Sequence, residues 1–410
     1  MAKEYPRWQK DSIRKILKVR RVAVISGPRQ SGKTTLAKQV ATKKDTFRTL
    51  DSEALLKVAL SDPLGFVRYA KGTLIIDEIQ KAPSLLTAIK QIVDENNTPG
   101  QFLLTGSADI RTLPTVSDSL AGRISHIRLR TLAMGELLGK RPFFFERAFT
   151  KNWPSQIKGC DKAAIIDMAF RGGYPEVVKL PEESRVRWHI DYAESLLTRD
   201  LRDMANIQRQ DAMRNLFDVL AAWSGKLMDV AGICSKLSTS RRTVESYINS
   251  LLTLHLFEKL PPWLKTDYDR VGRREKIFAT DTGFMANLLQ WRLDDVLLDA
   301  DRSGKIVETF VFNELSAQID LHDGYRFYHY RDRLCREIDF IVENNRGELL
   351  GIEVKAGSLF SSDDCRHMAW FKNNIVPDKP FTGIVLHSGQ DALPLGENMY
   401  AVPIAALWEQ

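Results

Sequence analysis

The sequence has few of the features that mark secreted or membrane proteins. Its 410 residues include only 4 cysteines, which lie far apart at Cys160, Cys234, Cys335 and Cys365. Such spacing indicates reduced thiols, and it excludes a disulfide framework or a cysteine-rich zinc site. No apolar run approaches the ~18–20 residues that cross a bilayer, and the opening residues MAKEYPRWQK contain no apolar signal core. We therefore expect a cytoplasmic protein that does not contact a membrane.

The sequence also lacks internal repeats and low-complexity tracts, which leaves serial globular domains. Hydrophobic residues make up 44% and charged residues 27% of the chain, an ordinary globular composition. At about 100–200 residues per domain, this length predicts roughly two to four domains. The 59 Lys+Arg exceed the 52 Asp+Glu by 7, a modest excess that is compatible with a polyanionic partner.

The clearest motif is a glycine-rich loop between a predicted strand and a predicted helix. Residues 21–25 are an apolar, β-branched run, and residues 35–41 have the apolar spacing of a helix. Between them lies G-P-R-Q-S-G-K-T, a complete P-loop motif in the context that it requires. Its backbone N–H groups and the helix N-terminus suit phosphate oxygens. The predicted nucleotide-binding residues are Gly27, Pro28, Arg29, Gln30, Ser31, Gly32, Lys33, Thr34 and Thr35.

A second predicted strand, residues 73–76, ends in an acidic pair that would complete a hydrolytic site. Lys33 is placed to neutralise the β- and γ-phosphates, and the Thr34 hydroxyl to coordinate Mg²⁺. Asp77 would hold the Mg²⁺ shell, and Glu78 would polarise the attacking water. This pair favours hydrolysis over phosphoryl transfer to a second substrate.

Two further positions are candidates for contact with the γ-phosphate. A third predicted strand, residues 102–107, ends in hydroxyls, so that Thr105 or Ser107 is either a γ-phosphate sensor or part of a structural turn. Arg123 is a candidate for stabilising charge on the γ-phosphate, within one chain or across a subunit interface, and its alternative is an ordinary surface arginine.

These motifs resemble the AAA+ ATPases of an archaeal and bacterial family that carries a C-terminal domain of unknown function. The resemblance covers roughly residues 5–135 and depends on G-P-R-Q-S-G-K-T-T, L-I-I-D-E-I-Q, L-L-T-G-S and S-L-A-G-R-I. It implies a P-loop AAA+ αβα core, which we place at residues 1–135, followed by helices. It also implies ATP hydrolysis with Mg²⁺ and a homo-oligomer, for which a hexameric ring is one arrangement. It also implies that Arg123 is an arginine finger or sensor.

The middle of the chain predicts a helical lid or connector at residues 136–205 and a winged-helix domain at residues 206–295. Three predicted helices and two wing strands occupy residues 213–223, 228–237, 241–255, 257–260 and 276–279. Arg241, Arg242 and Thr243, at the start of the third helix, would contact DNA phosphates. The alternative is a winged helix that packs only against protein.

The last predicted domain, residues 296–410, places acidic residues in a helix and in a hairpin. Glu308 and Glu314 lie outside the apolar stripe of the helix. A three-residue loop at residues 345–347 would place Asp339 directly opposite Glu353 in the hairpin. Opposed carboxylates repel one another, and a hard divalent cation would compensate for that repulsion.

The order of helix acid, hairpin Asp and E-x-K resembles the PD-(D/E)xK restriction-endonuclease-like fold. That resemblance implies that Glu308, Asp339 and Glu353 bind a metal ion and that Lys355 positions water and stabilises charge on the phosphate.

The sequence thus predicts a multidomain α/β protein that hydrolyses ATP and acts on duplex or branched DNA. Two alternatives remain open. One is an ATP-gated, Mg²⁺-dependent DNA nuclease, and the other is a nucleotide switch that regulates transcription or a partner protein without cleavage.

Overall fold

The computed structural model describes residues 4–107, 122–201, 210–266 and 273–409. The chain divides into two compact units, the first comprising residues 1–132 with 251–256 and the second comprising residues 133–250 with 257–410.

The first unit is built on a five-stranded parallel sheet with the strand order β2-β3-β4-β1-β5. Its strands are β1 (Val22–Ser26), β2 (Thr46–Thr49), β3 (Leu74–Asp77), β4 (Phe102–Gly106) and β5 (Ile124–Arg128). The three central strands are buried along their whole length. Continuous burial is expected of parallel strands whose two faces are both covered by helices.

Helices cover both faces of this sheet. They are α1 (Gln9–Leu17), α2 (Lys33–Val40), α3 (Glu53–Ser61), α4 (Pro63–Arg68) and α5 (Ser84–Glu95). Alternate residues of β1 enter different cores, Ala23 and Ile25 joining the one that contains residues of α1 and α2, and Val22 and Val24 joining the one that contains residues of α3–α5. The predicted αβα core is confirmed.

The second unit begins with helices and continues into a small antiparallel sheet. Its helices up to residue 298 are α6 (Met134–Leu138), α7 (Phe144–Thr150), α8 (Lys162–Arg171), α9 (Glu182–Ser195), α10 (Gln210–Ala222), α11 (Val230–Leu237), α12 (Arg241–Thr253, whose last residues are counted with the first unit), α13 (Thr282–Leu288) and α14 (Leu293–Leu298). The sheet has the order β6-β8-β7 and consists of β6 (Lys226–Leu227), β7 (Phe257–Leu260) and β8 (Lys276–Ala279). Strand β6 was not predicted from the sequence.

A separate six-stranded sheet forms the C-terminal part of the second unit, with the order β13-β14-β12-β11-β10-β9. Its elements are α15 (Ala300–Ile319), β9 (Arg326–Arg331), β10 (Glu337–Glu343), β11 (Leu349–Val354), α16 (Arg366–Asn374), β12 (Phe381–His387), β13 (Leu393–Gly396) and β14 (Met399–Pro403). Short 3₁₀ or π turns lie at Ile79–Lys81, Val177–Lys179, Leu196–Asp200, Ser362–Cys365 and Ile404–Leu407.

The hairpin of β10 and β11 has the predicted register. Phe340 lies opposite Ile352, and Val342 lies opposite Leu350. The Asn344 N–H donates to the Glu348 carbonyl at 3.1 Å, and Gly347 supplies the left-handed residue of the loop with φ of 75°. In the described parts of the chain, no helix is long and apolar enough to cross a bilayer.

Candidate functional site

The glycine-rich loop connects the carboxyl end of β1 to the start of α2, where parallel α/β sheets place their ligands. Gly32, directly before α2, has φ of 95°, a conformation that favours glycine. Gly27 is required for a different reason, since a Cβ at this position would lie 2.0 Å from the Leu129 carbonyl oxygen. These two glycines let the loop turn tightly at the sheet edge.

Lys33 is almost fully buried, and its ammonium group is directed back at the loop. Its Nζ donates to the carbonyl oxygens of Gly27 at 2.9 Å and of Pro28 at 2.8 Å. The Ser31 hydroxyl is buried without a hydrogen-bond partner among the described atoms. A buried ammonium, an unpaired hydroxyl and a helix N-terminus in one loop fit a bound phosphate chain.

Asp77 ends β3 beside this loop and is 2% exposed. It accepts hydrogen bonds from the Thr34 hydroxyl at 3.0 Å to Oδ1 and 3.1 Å to Oδ2, and also from the Thr105 hydroxyl. Thr34 and Asp77, predicted from separate motifs, therefore lie in contact. A hydroxyl beside a carboxylate offers the hard oxygen ligands that Mg²⁺ prefers, so these residues fit the ion.

Glu78 follows Asp77 with φ of 59°, a left-handed conformation that is unusual for a glutamate. Its N–H donates to the Thr105 Oγ1 at 3.3 Å. Its carboxylate accepts a hydrogen bond from the Gln80 amide, which also donates to the Ser107 Oγ at 2.9 Å. Thr105 and Ser107 thus contact the acidic pair and its neighbour. Gln80 was not predicted as a site residue, although its position three residues after Asp77 was a usable signal.

Arg7 is a second residue near the loop that was not predicted from the sequence. Its guanidinium donates to the Ser31 carbonyl at 2.8 Å and to the Arg130 carbonyl at 2.6 Å. It therefore connects the segment before α1 to the phosphate loop and to the residues after β5. Nothing in the local sequence around Arg7 distinguishes it from a surface arginine.

Arg123 lies away from the phosphate loop of its own chain. It directly precedes Ile124, which pairs with Val22 at the amino end of β1, whereas the loop follows Ser26 at the carboxyl end. Its Nε donates to the Asp94 Oδ1 at 2.5 Å. The γ-phosphate role within one chain does not fit this location, and the role across a subunit interface stays a prediction.

In the second unit, two of the predicted nuclease-like residues, Glu308 and Asp339, lie beside a buried lysine that the sequence had placed only in a wing strand. Lys276 of β8 is 2% exposed. Its Nζ lies 3.0 Å from Glu308 Oε1, 2.8 Å from Glu337 Oε1 and 3.8 Å from Asp339 Oδ1. Glu337 was not among the predicted site residues. We call these four residues the lysine–carboxylate cluster.

Neighbouring groups use several of the remaining carboxylate oxygens. The second Glu337 oxygen accepts from the Arg331 guanidinium at 3.1 Å. The second Asp339 oxygen accepts from the Val354 N–H at 2.9 Å. Lys355 lies 3.9 Å from Glu353 but only 3.0 Å from Asp364. Its main partner is thus a carboxylate that the predicted site did not include.

The pKa values reflect this crowding. Burial alone would lower the pKa of Lys276, but Glu308, Asp339 and Glu337 raise it above its ordinary value. Burial raises the pKa of Glu308 against the opposing effect of Lys276. Burial, reinforced by Asp339, likewise raises the pKa of Glu353. The ammonium of Lys276 is the charged group that the surrounding carboxylates stabilise.

The predicted metal site does not fit a metal ion in this arrangement. Within the described ranges, no group of three or more His, Cys, Asp or Glu side chains is arranged to hold one. Glu308 and Asp339 instead share the ammonium of Lys276. The sequence placed Glu314 outside the apolar stripe of the same helix, and this expectation was wrong. Glu314 is buried and accepts a hydrogen bond from the Met134 N–H at 2.9 Å.

The residues predicted to contact DNA lie at the start of α12. Arg241 and Arg242 are exposed, and Thr243 is half-buried. The Arg241 Nε lies 2.8 Å from the Glu245 Oε1, one helical turn away. This arrangement leaves two guanidinium groups at the surface of the helix N-terminus.

Comparison with known proteins divides the chain into three matched segments. Residues 19–138 match the family described as AAA domain. Residues 162–295 and 303–407 match two families described as domains of unknown function, DUF8612 and DUF4143. Uncharacterized proteins of Mycobacterium tuberculosis and Mycobacterium bovis are each 27% identical over 93% of this chain and 80% of their own length.

Solved structures give weaker likenesses. AMPPCP-bound DnaA from Aquifex aeolicus is 12% identical over 59% of this chain and 85% of its own, with a TM-score of 0.29. A DNA replication initiation factor is 11% identical over 75% of this chain and 91% of its own, with a TM-score of 0.28. Likenesses at this level carry no weight for function. The family match and the loop geometry agree, however, that residues 19–138 form a P-loop AAA-type domain.

Proposed function

We propose that the protein binds ATP with Mg²⁺ at the glycine-rich loop and hydrolyses it. The observation that carries this proposal is the contact between the Thr34 hydroxyl and the Asp77 carboxylate, which joins the loop to the acidic end of β3. Two motifs separated by 43 residues meet at one sheet edge in the order that P-loop hydrolases use.

The roles of the residues follow from their chemistry. Lys33 would exchange its hydrogen bonds to loop carbonyls for contacts with the β- and γ-phosphates. Thr34 and Asp77 would hold Mg²⁺, which supplies charge neutralisation at the phosphates when bound. Glu78 would accept the proton of the attacking water, and the Gln80 amide would fix the direction of its carboxylate.

Two substitutions test this proposal in purified protein. Lys33→Ala should abolish ATP hydrolysis, because the phosphates lose their main cation. Glu78→Gln should retain ATP binding while slowing turnover by about 100-fold or more, as expected for loss of a general base. Lys57→Ala, at an exposed position of α3, is the matched control and should leave both unchanged. Unchanged turnover in either active-site variant contradicts the proposal.

We propose further that residues 210–279 form a winged-helix domain that binds DNA. The element order is helix, strand, helix, helix, strand, strand, and the short sheet has the order β6-β8-β7. This is the arrangement in which the third helix reads nucleic acid. The exposed Arg241 and Arg242 at its N-terminus support phosphate contact. Residues 267–272, between β7 and β8, lie outside the described residues.

Salt-dependent DNA binding tests the second proposal. Arg242→Ala should weaken binding to duplex and branched DNA alike, and it should reduce the slope of log affinity against log salt by about 1. The control is Arg302→Ala. Arg302 lies in α15, outside the proposed winged-helix domain, and its guanidinium pairs with Asp299 at 3.3 Å. Equal affinity and slope in wild type and Arg242→Ala would instead favour a winged helix that contacts only protein.

One measurement, ATP hydrolysis with and without DNA, tests the ATPase and DNA proposals together. A DNA-acting ATPase should hydrolyse ATP faster in the presence of linear, forked or four-way DNA, whereas a nucleotide switch should not. Sizing with ATP in the same samples tests the homo-oligomer, in which Arg123 would act across the subunit interface. We do not propose the ATP-gated nuclease, because Lys276 lies beside Glu308 and Asp339, two of the three carboxylates that it would require.

A further inference from the structure

We infer that Lys276 is a permanent internal counter-ion that takes the place of a metal ion in the C-terminal acidic cluster and keeps divalent cations out. The cluster would then join the small β6-β8-β7 sheet to the C-terminal sheet instead of cutting nucleic acid. This inference does not depend on ATP hydrolysis or on DNA binding.

Carboxylate oxygens from two elements converge on one nitrogen. Glu308, Glu337 and Asp339 come from α15 and β10, and each directs one oxygen at the Lys276 Nζ, at 3.0, 2.8 and 3.8 Å. Carboxylate oxygens are the ligands that a hard cation prefers. Here the point on which they converge is occupied by an ammonium group of the same chain.

Lys276 is also held in place by its strand and by its burial. It belongs to the central strand of its sheet, opposite Leu227 of β6 and Leu260 of β7. Its side chain is 2% exposed. Backbone pairing on both sides thus fixes the Cα, and burial keeps the ammonium away from solvent. A free cation would have to displace a covalently tethered one.

Further contacts connect α15 to β8 and to the turn before β6 beside the cluster. Phe278, two residues along β8, stacks on Phe312 of α15 with ring centroids 4.1 Å apart. The Ser224 hydroxyl, just before β6, lies 2.8 Å from the Thr309 hydroxyl. Beside Glu308, Gly225 leaves room for the carboxylate, since a Cβ there would lie 3.0 Å from Oε2. Apolar and polar contacts therefore flank the cluster and hold its members in register.

Two further cations lie around the cluster. Arg331 pairs with the second oxygen of Glu337. Lys355 lies between Glu353 and Asp364, at 3.9 and 3.0 Å. These side chains neutralise the outer carboxylates without a metal ion.

The test compares wild type, Asp339→Asn and Lys276→Met as full-length, nucleotide-free protein. Mn²⁺ binding is measured by loss of the free-ion electron paramagnetic resonance signal, and stability by thermal unfolding. Wild type and Asp339→Asn should bind the same amount of Mn²⁺. Lys276→Met keeps the apolar stem, ends one atom before the ammonium nitrogen and removes the charge, so it should gain about one Mn²⁺ per chain, which is lost again in Lys276→Met/Asp339→Asn.

Unfolding temperatures give a second readout. Lys276→Met should unfold roughly 10 °C below wild type, because buried carboxylates lose their partner. Millimolar Mn²⁺ should recover at least half of that loss, while leaving wild type unchanged. Lys259→Met, in the adjacent strand β7, is the matched lysine control and should show neither effect.

Two results would overturn the inference. One is a Mn²⁺ ion that binds wild type and is lost in Asp339→Asn, since the cluster would then accept a metal with Lys276 present. The other is a folded Lys276→Met that gains no ion. If Lys276→Met does not fold with or without Mn²⁺, the comparison of wild type with Asp339→Asn still decides, because it needs no change at Lys276.

Discussion

At the scale of single residues, the general base of the proposed ATPase depends on one amide. Glu78 has a left-handed backbone, and its carboxylate is held by Gln80, whose amide also contacts Ser107. Without that amide, the carboxylate would sample directions that do not point at an attacking water. A catalytic group that is misplaced by about 1 Å costs on the order of 100-fold in rate.

We therefore predict that Gln80→Ala lowers the kcat of ATP hydrolysis by roughly 10- to 100-fold and leaves KM within about twofold. Steady-state kinetics with ATP provide the measurement. Gln91→Ala is the control, because Gln91 is exposed on α5 and its amide donates to the Glu95 Oε1 on the same helix at 3.0 Å. A Gln80→Ala variant with wild-type kcat would show that Glu78 needs no such support.

A second prediction concerns Glu314, whose pKa burial raises from 4.5 to about 8. The folded state thus keeps a proton that the unfolded chain has released. The Glu314 side chain therefore contributes most to the free energy of unfolding below about pH 4.5, and that contribution falls as the pH rises toward 8. At pH 8.5, Glu314→Gln should be more stable than wild type by roughly 3 kcal/mol, since the amide oxygen can still accept from the Met134 N–H.

Thermal unfolding at pH 4.5 and pH 8.5 checks this prediction. The two proteins should agree at the lower pH and differ by about 8 °C at the higher one. Glu146→Gln, at an exposed position of α7, should behave like wild type at both. A difference of the same size at both pH values would mean that the substitution acts through packing and not through charge.

At the scale of elements, the turn between α10 and β6 contains a glycine that packs against the Glu308 carboxylate. Gly225 has φ of 79°, and a Cβ there would lie 3.0 Å from Glu308 Oε2. Gly225→Ala should therefore destabilise the protein by about 1–2 kcal/mol, through backbone strain and crowding of the cluster. Urea denaturation measures this change.

Gly304 provides the opposite case within α15. It lies in the helix interior, and a Cβ added there would meet no atom of the described residues within 4 Å beyond its own helix and chain neighbours. Gly304→Ala should stabilise the protein by about 0.5–1 kcal/mol, because alanine has less backbone freedom to lose. Destabilisation of equal size in both variants would argue against a special role for the turn at Gly225.

The sequence predicts best those features that depend on residues close together in the chain. The P-loop and the β10–β11 hairpin are local, so spacing alone predicted the Thr34 and Asp77 motifs and the register from Phe340 to Ile352. Lys276 is 32 residues from Glu308, and no periodicity relates the two. Its role follows from the packing of β8 against α15, which sequence patterns do not specify.

At the scale of the whole molecule, the predicted boundary between residues 295 and 296 would separate Lys276 from its carboxylates. We predict that a fragment of residues 296–410 unfolds at markedly lower urea than a fragment of residues 210–410. The shorter fragment keeps Glu308, Glu337 and Asp339 but loses their cation, so these neighbouring carboxylates repel one another. Denaturation followed by circular dichroism compares the two.

A point substitution separates this charge effect from the loss of chain. In the fragment of residues 296–410, Asp339→Asn removes one of the uncompensated charges and should raise its stability. In the longer fragment, the same change should lower stability, because Lys276 loses a partner. The same sign in both fragments would contradict the electrostatic explanation.

The two hydrogen bonds of Arg7 support the phosphate loop from outside its own motif, because one guanidinium contacts the carbonyls of both Ser31 and Arg130. A truncation that removes Arg7, or an affinity tag that displaces it, would therefore change the nucleotide site itself. Kinetic values from differently tagged preparations are comparable only when Arg7 and the residues between it and α1 are intact.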